Sequence, residues 1–211
     1  MNRLTELFFE VPDGIFTHAQ VEALLEASRH SRQGLIKRAL ARGEILQIKR
    51  GLYSLAPRYL RHPLNSFVLA QHVYGPSYVS FESALAHHGW IPEAVYTCTC
   101  ASLGNARTFE TPLGVFSFQR VPQLTFFQEV STQVDAWGGR FFLAHPAKAL
   151  CDLLYTRRLS WKGPAQAAEF LRIEEEDWRT VDTETLDRLL ASYSSKRVKL
   201  FLHGWRKELT G

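Results

Sequence analysis

Residues 16–55, FTHAQVEALLEASRHSRQGLIKRALARGEILQIKRGLYSL, decide how the chain begins to fold. Thr17 is a favourable N-cap, and Gln20 three residues later completes a capping box, in which each side chain serves the other residue's backbone amide. Phe16 before the cap and Val21 beyond it form a hydrophobic staple, and Leu24 and Leu25 continue the helical spacing toward residue 28. Ser31 then starts a second helix, expected to run to about Arg42 with Gly43 as its stop. At 100° per residue, Leu35, Ile36, Ala39 and Leu40 share one side of that helix. Gln33, Lys37 and Arg38 lie opposite, around the small Gly34 and Ala41. A face with small residues at its middle and long donors at its margins can approach a groove floor closely. Residues 45–48 and 52–55 read as two short strands around the loop Lys49-Arg50-Gly51, a bulged hairpin with a basic tip. Upstream, Leu4, Leu7 and Phe8 predict a short first helix, and Pro12-Asp13-Gly14 a turn before Phe16.

A helix, a short turn, a basic helix and a basic-tipped hairpin, in that order, are the parts of a winged helix-turn-helix. The charge agrees. Between residues 29 and 61 there are nine basic residues and one acid, Glu44, a local excess of +8 in a chain whose net charge is +4. The residues before this stretch are net acidic, and those after it balance. Such a field suits a polyanion. By geometry, Gln33, Lys37 and Arg38 are the candidates for base edges, Gln suiting adenine and Arg or Lys guanine. Arg32 points toward the core side of its helix but lies in the first turn, from which it can swing to a phosphate. Lys49 and Arg50 are candidates for phosphates or the minor groove, whereas Arg29, His30 and Arg42 read as backbone contacts or solvated charges. Six phosphate contacts correspond to a log–log salt slope of roughly −5.

The expected fold class is α+β: an N-terminal winged helix-turn-helix over residues 1–60, then a mixed α+β domain over 61–211. Helices are expected over 64–73, from Ser80 as cap to His87, from Pro146 to Tyr155, from Pro164, from Thr183, and over 196–207. Strands are expected over 95–100 and 140–144, with a hairpin of 108–110 and 115–118 around Thr111-Pro112-Leu113-Gly114.

Other chemistry finds little support. Glu82, His87 and His88 do not fall on one helical face. Cys98-Thr99-Cys100 is half a metal site without a second half, and Cys151, between Leu150 and Leu153, reads as a core thiol. No Asp or Glu has Lys two residues on, as a restriction-type nuclease needs. A nucleotidyltransferase Gly-Ser and Asp-x-Asp pattern, a phosphate loop and a Gly-x-Ser-x-Gly elbow are also missing. Residues 174–177, all acidic, read as a solvated helix end. The basic and apolar C-terminal helix reads as docked on the protein's own core. No catalytic residue, metal or cofactor is therefore expected. The start lacks the pattern of a signal peptide and no run is long enough to span a membrane. Three cysteines without a secretion signal point to a reduced, cytoplasmic setting.

Four segments resemble the AbiEi antitoxin family, the transcriptional regulators of AbiE-type abortive-infection loci. They are Arg50-Gly51-Leu52-Tyr53, YVSFESALAHHG at 78–89, TPLGVFSF at 111–118 and HPAKALCDLLY at 145–155. The resemblance implies a winged helix joined to an antitoxin domain, repression of the operon through inverted repeats in operator DNA, and phage defence. It also implies a functional pairing with a nucleotidyltransferase-like toxin, with or without a stable complex. An oligomer on DNA is compatible with it, and no enzymatic activity is implied. Two readings of other classes stay open beside it: a protein-binding module whose winged helix contacts a partner, and a metal nuclease.

Overall fold

The computed structural model describes residues 3–9, 11 and 13–210. Met1 and Asn2 of the start, and Pro12 of the expected turn, lie outside the described residues. The first part runs α1 (Arg3–Phe9), β1 (Ile15–Thr17), α2 (His18–Leu24), α3 (Arg29–Ala41), β2 (Ile45–Lys49) and β3 (Leu52–Leu55). β3 is the middle strand of a three-stranded antiparallel sheet ordered β1-β3-β2.

The capping box forms as expected: the Gln20 amide donates to Thr17 Oγ1 at 3.2 Å, and the Thr17 amide to Gln20 Oε1 at 2.7 Å. Both staple residues, Phe16 and Val21, are fully buried. The residues leading into the cap also form β1, which local spacing does not reveal, because its partners on β3 are distant in sequence: Phe16 faces Tyr53 and Thr17 faces Leu52.

One helix boundary differs from expectation. α2 stops at Leu24, and α3 is capped by Ser28 rather than Ser31, so it begins one turn earlier. Ser28 Oγ accepts from the Ser31 amide at 3.2 Å and donates to Ser31 Oγ at 3.1 Å, which makes Ser31 the third helical residue. Buried Leu25 anchors the intervening turn. Gly43 follows the C-cap at φ +62, a left-handed conformation that suits glycine.

The core of this part is aromatic. Phe8 stacks on Phe16 with ring centroids 3.9 Å apart, and Phe16 on Tyr53 at 5.7 Å. Leu4, Ile36, Ala39, Ile45 and Leu55 close around them. Each large side chain so buried contributes on the order of 1.5–3 kcal/mol.

After a single 3-10 turn (Pro57–Tyr59) come α4 (Ser66–Val73), β4 (Ser77–Val79), α5 (Phe81–His87), β5 (Thr97–Ser102), β6 (Arg107–Thr111), β7 (Gly114–Arg120), β8 (Val130–Val134) and β9 (Arg140–Ala144). Five helices follow: α6 (Pro146–Thr156), α7 (Pro164–Leu171), α8 (Glu175–Arg179), α9 (Thr183–Ser192) and α10 (Lys196–Thr210). The strands make one mixed sheet in the order β6-β7-β5-β4-β9-β8. The β6–β7 hairpin and the helices α4 to α7, α9 and α10 match the sequence reading; β4 and β8 have no counterpart in it, and the acidic run at 174–177 lies at the start of α8. The fold is α+β, an HTH-like helical region with a small sheet followed by a mixed α+β part. α10 buries Val198, Phe201, Leu202 and Trp205 against the second core and leaves Lys199, Arg206 and Lys207 outside.

Two of the segments that carry the family resemblance meet inside this second part. Asp152 on α6 is fully buried and accepts hydrogen bonds from Tyr78 OH (2.9 Å), Ser80 Oγ (2.7 Å), Gln123 Nε2 (2.9 Å) and Tyr193 OH. Ser80 precedes α5 as the sequence predicts, but its hydroxyl is turned to this carboxylate and makes no cap hydrogen bond. Lys148, also fully buried, donates to Gln123 Oε1 and sits 5.1 and 5.3 Å over the rings of Tyr78 and Tyr193. Burial pushes the Lys148 ammonium pKa down, opposed by the Asp152 carboxylate, and pushes both tyrosine hydroxyls well up.

The two parts share a boundary layer. Ile15, Ile48 and Leu52 belong to the apolar cluster of the second part, while Phe16, Ile45, Tyr53 and Leu55 face α1 to α3. The small sheet is therefore packed on both sides.

Candidate nucleic-acid interface

α3 buries Ile36 and Ala39 and half-buries Leu35, the side the sequence pattern assigns to the core, with Leu40 packed at its margin. Gln33, Lys37, Arg38 and Ala41 lie on the other side, with Arg29, His30 and Ser31 at the helix start. Gly34 makes room on that face. A Cβ there would stand 3.3 Å from Arg38 Nη1, so the guanidinium lies back along the helix over the glycine.

The field around α3 is set by two residues whose roles the sequence does not announce. Glu44, the one acid of the basic stretch, is buried (5 % exposed) and accepts from Thr5 Oγ1 at 2.6 Å. Its negative charge is thus withdrawn from the surface. Arg58 donates through Nη2 to the carbonyls of Arg42 (3.0 Å) and Gly43 (2.9 Å), where the helix leaves acceptors unpaired and the dipole favours a cation. These bonds join residues 16 and 15 positions apart, beyond the reach of any helix-end pattern.

The hairpin tip carries Arg50, exposed, beside Gly51 at φ +80. The His18 amide donates to the Gly51 carbonyl at 2.9 Å, which ties the tip to the start of α2.

Of the six residues singled out from the sequence, Gln33, Lys37 and Arg38 fall on one helix face and Arg50 on the hairpin turn. Arg32 and Lys49 are held elsewhere. Arg32 is folded across the α2–α3 turn, donating to the Ala27 carbonyl and, at 3.3 Å, to Glu22 Oε1, with its side chain 17 % exposed. Lys49 belongs to β2 rather than to the turn, and its ammonium donates to the Val73 carbonyl and stands 5.9 Å over the Phe109 ring. Burial lowers its pKa. The bulge between Gln47 and Lys49 redirects the strand end toward the second part.

Elsewhere the geometry offers structural roles. Cys98 and Cys100 are buried with Sγ atoms 3.9 Å apart, and Cys151 is buried as a thiol in the core. Glu82 is engaged by Arg157. Among the described residues there is no group of three or more His, Cys, Asp or Glu able to hold a metal ion. Among the same residues no helix is long and apolar enough to cross a membrane.

An HTH-like head with cationic side chains on one helix face and one turn, carried on a mixed α+β body, has the form of a regulator. Residues 2–56 match the family described as transcriptional regulator, AbiEi antitoxin. The match spans the head, about a quarter of the chain, and there the resemblance read from the sequence is shown. No curated protein matches the chain. The matched family is one of regulators and antitoxins, and the match bears on the head.

Proposed function

We propose that the chain is the antitoxin and autorepressor of a toxin–antitoxin operon, acting in the cytoplasm in phage defence. Residues 1–60 bind operator DNA as a winged helix-turn-helix, and residues 61–211 carry the antitoxin function against a nucleotidyltransferase-like toxin. α3 enters the major groove, where Gln33, Lys37 and Arg38 read base edges. Arg50 meets a flanking phosphate or the minor groove, as does Lys49 once released from the Val73 carbonyl. Arg32 sets the angle between α2 and α3 by bridging Ala27 and Glu22, and reaches a phosphate only by leaving that bridge.

The observation that carries this reading is that the outer side of α3 is polar and cationic around Gly34 and Ala41, while the one acid of the basic stretch is buried on Thr5. The match of the same residues to a family of transcriptional regulators supports it.

A mobility shift of the full chain on the DNA upstream of its own reading frame is the test. The expected result is a shifted band that a scrambled duplex does not compete away and that weakens steeply with salt. Equal binding to scrambled DNA would remove the repressor half of the proposal.

A further inference from the structure

The six-stranded sheet ends in two different ways. At one end β6 (Arg-Thr-Phe-Glu-Thr) carries two charges, and β2 of the head lies against it, with Lys49 over Phe109. At the other end β8 (Val-Ser-Thr-Gln-Val) has no charge, no proline and no bulge in its pairing with β9. Charge, proline and bulges are the devices that normally blunt an open strand edge, and β8 lacks them. Along its outer side the Val130 amide is turned to the Phe127 carbonyl at 3.2 Å, and Thr132 and Val134 stand at the open edge.

The face beside that edge is largely apolar, with exposed Arg140 opposite Val134 at its end. Thr132 lies opposite Phe142 in the β8–β9 register, so the two share a face with Val130 and Val134. Phe142 and Val134 are 40 % and 58 % exposed. Phe127, 43 % exposed, packs on Phe142 with ring centroids 5.2 Å apart. Ser131 and Gln133 point to the other face and bond each other at 2.9 Å.

We propose that β8 pairs with β8 of a second copy of this chain, antiparallel about Thr132, joining two six-stranded sheets into one. The strand reads alike in both directions. About Thr132, Val130 meets the other copy's Val134, Ser131 meets its Gln133, and Thr132 meets Thr132. Each is a compatible cross-strand pair. A self-complementary strand is what a two-fold interface requires, whereas an unrelated partner needs no such symmetry. Beyond the strand ends Glu129 would face Asp135, yet each already has partners. Glu129 accepts from Arg188 Nε, and Asp135 from the amides of Trp137 and Gly139, both at 2.9 Å. The pairing covers Val134 and leaves the Phe127–Phe142 pair flanking the seam. It stands independently of DNA binding, although two copies so joined would present two α3 helices related by a two-fold axis.

The test is cross-linking of the full chain. Thr132→Cys sets two thiols opposite each other with Cα atoms roughly 4.5–5.5 Å apart, within the Cα span that a disulfide bridges. The chain's own three cysteines are buried. Oxidised glutathione takes up the two electrons, and two thiols become one disulfide with release of two reduced glutathiones. The expected result is a covalent dimer formed at least about tenfold faster than with Ser131→Cys, whose copies are offset along the strand, or with Thr108→Cys on β6. In sedimentation equilibrium, Thr132→Lys sets like charges face to face and should raise the dimer Kd at least about fivefold while the thermal melt of the chain diluted to the monomer is unchanged. Cross-linking of Thr132→Cys no faster than of Thr108→Cys overturns the proposal, as does a dimer that Thr132→Lys leaves intact. Loss of a different bound protein in Thr132→Lys, with the wild type monomeric, would overturn it too and assign the edge to that partner.

Discussion

Replacing Asp152 tests how the second part is held together. Its carboxylate is fully buried and accepts four hydrogen bonds, from Tyr78, Ser80, Gln123 and Tyr193. It also opposes the effect of burial on Lys148. Alanine removes the acceptor of all four donors, of which Tyr78, Ser80 and Tyr193 are themselves buried. An orphaned buried donor costs about 1–3 kcal/mol, so Asp152→Ala should cost about 4 kcal/mol or more, on the order of half the stability of a typical domain. Asparagine keeps an acceptor oxygen, and the two hydroxyls facing its amide can turn to accept. What it lacks is the charge, leaving Lys148 as a buried cation without its counter-charge. Asp152→Asn should therefore cost about 2–4 kcal/mol. Lys148→Met removes that cation, so the double variant should be more stable than the sum of the two single effects, with a coupling of at least ~1 kcal/mol. Urea unfolding followed by circular dichroism gives all four corners of the cycle. Additive effects, or an Asp152→Asn variant within about 0.5 kcal/mol of the wild type, would refute the reasoning.

Other expectations follow from the same geometry. Arg58→Ala frees the carbonyls of Arg42 and Gly43 at the end of α3 and should lower stability by about 0.5–1 kcal/mol, read as a shift in the urea midpoint. Burial lowers the pKa values of His72, His88 and His145 from their unfolded value of 6.5, so the unfolded chain binds more protons as pH falls past that value. The stability these groups contribute is full above the unfolded pKa and declines on acidification. Because His145 Nδ1 accepts from the Ala147 amide at 3.2 Å, His145→Asn should keep the cap and flatten the decline measured across that range. Arg50→Ala should weaken binding to every duplex alike and reduce the salt slope by about one. Lys49→Ala, which deletes the hydrogen bond to the Val73 carbonyl, should lower stability more than Arg50→Ala does, again read from the urea midpoint.

The head was legible because its determinants are local. The capping box at Thr17 and Gln20, the 3.6-residue apolar pattern of α3 and the glycines at 43 and 51 each act within a few residues. β1 was hidden because it exists only through pairing with β3, and the start of α3 was ambiguous because Ser28 and Ser31 are both good caps a turn apart. The candidate site was legible to the same extent. Periodicity placed Gln33, Lys37 and Arg38 on one face. The diversion of Lys49 to Val73 and the burial of Glu44 on Thr5 depend on residues 24 and 39 positions away. The Asp152 cluster likewise gathers side chains from separate segments of the chain: Tyr78, Ser80, Lys148 and Asp152 stand among the motif letters, whereas Gln123 and Tyr193 do not, and nothing local joins them.

The central claim is that the outer face of α3 reads DNA. The most direct measurement compares the wild type with the Gln33→Ala, Lys37→Ala, Arg38→Ala triple variant on the upstream region and on a scrambled duplex, across a salt series. The account predicts that the preference for the upstream region collapses, by about 1–3 kcal/mol for each base-reading side chain removed, while salt-sensitive binding to both duplexes persists through the remaining cations. An unchanged preference in the triple variant would contradict it.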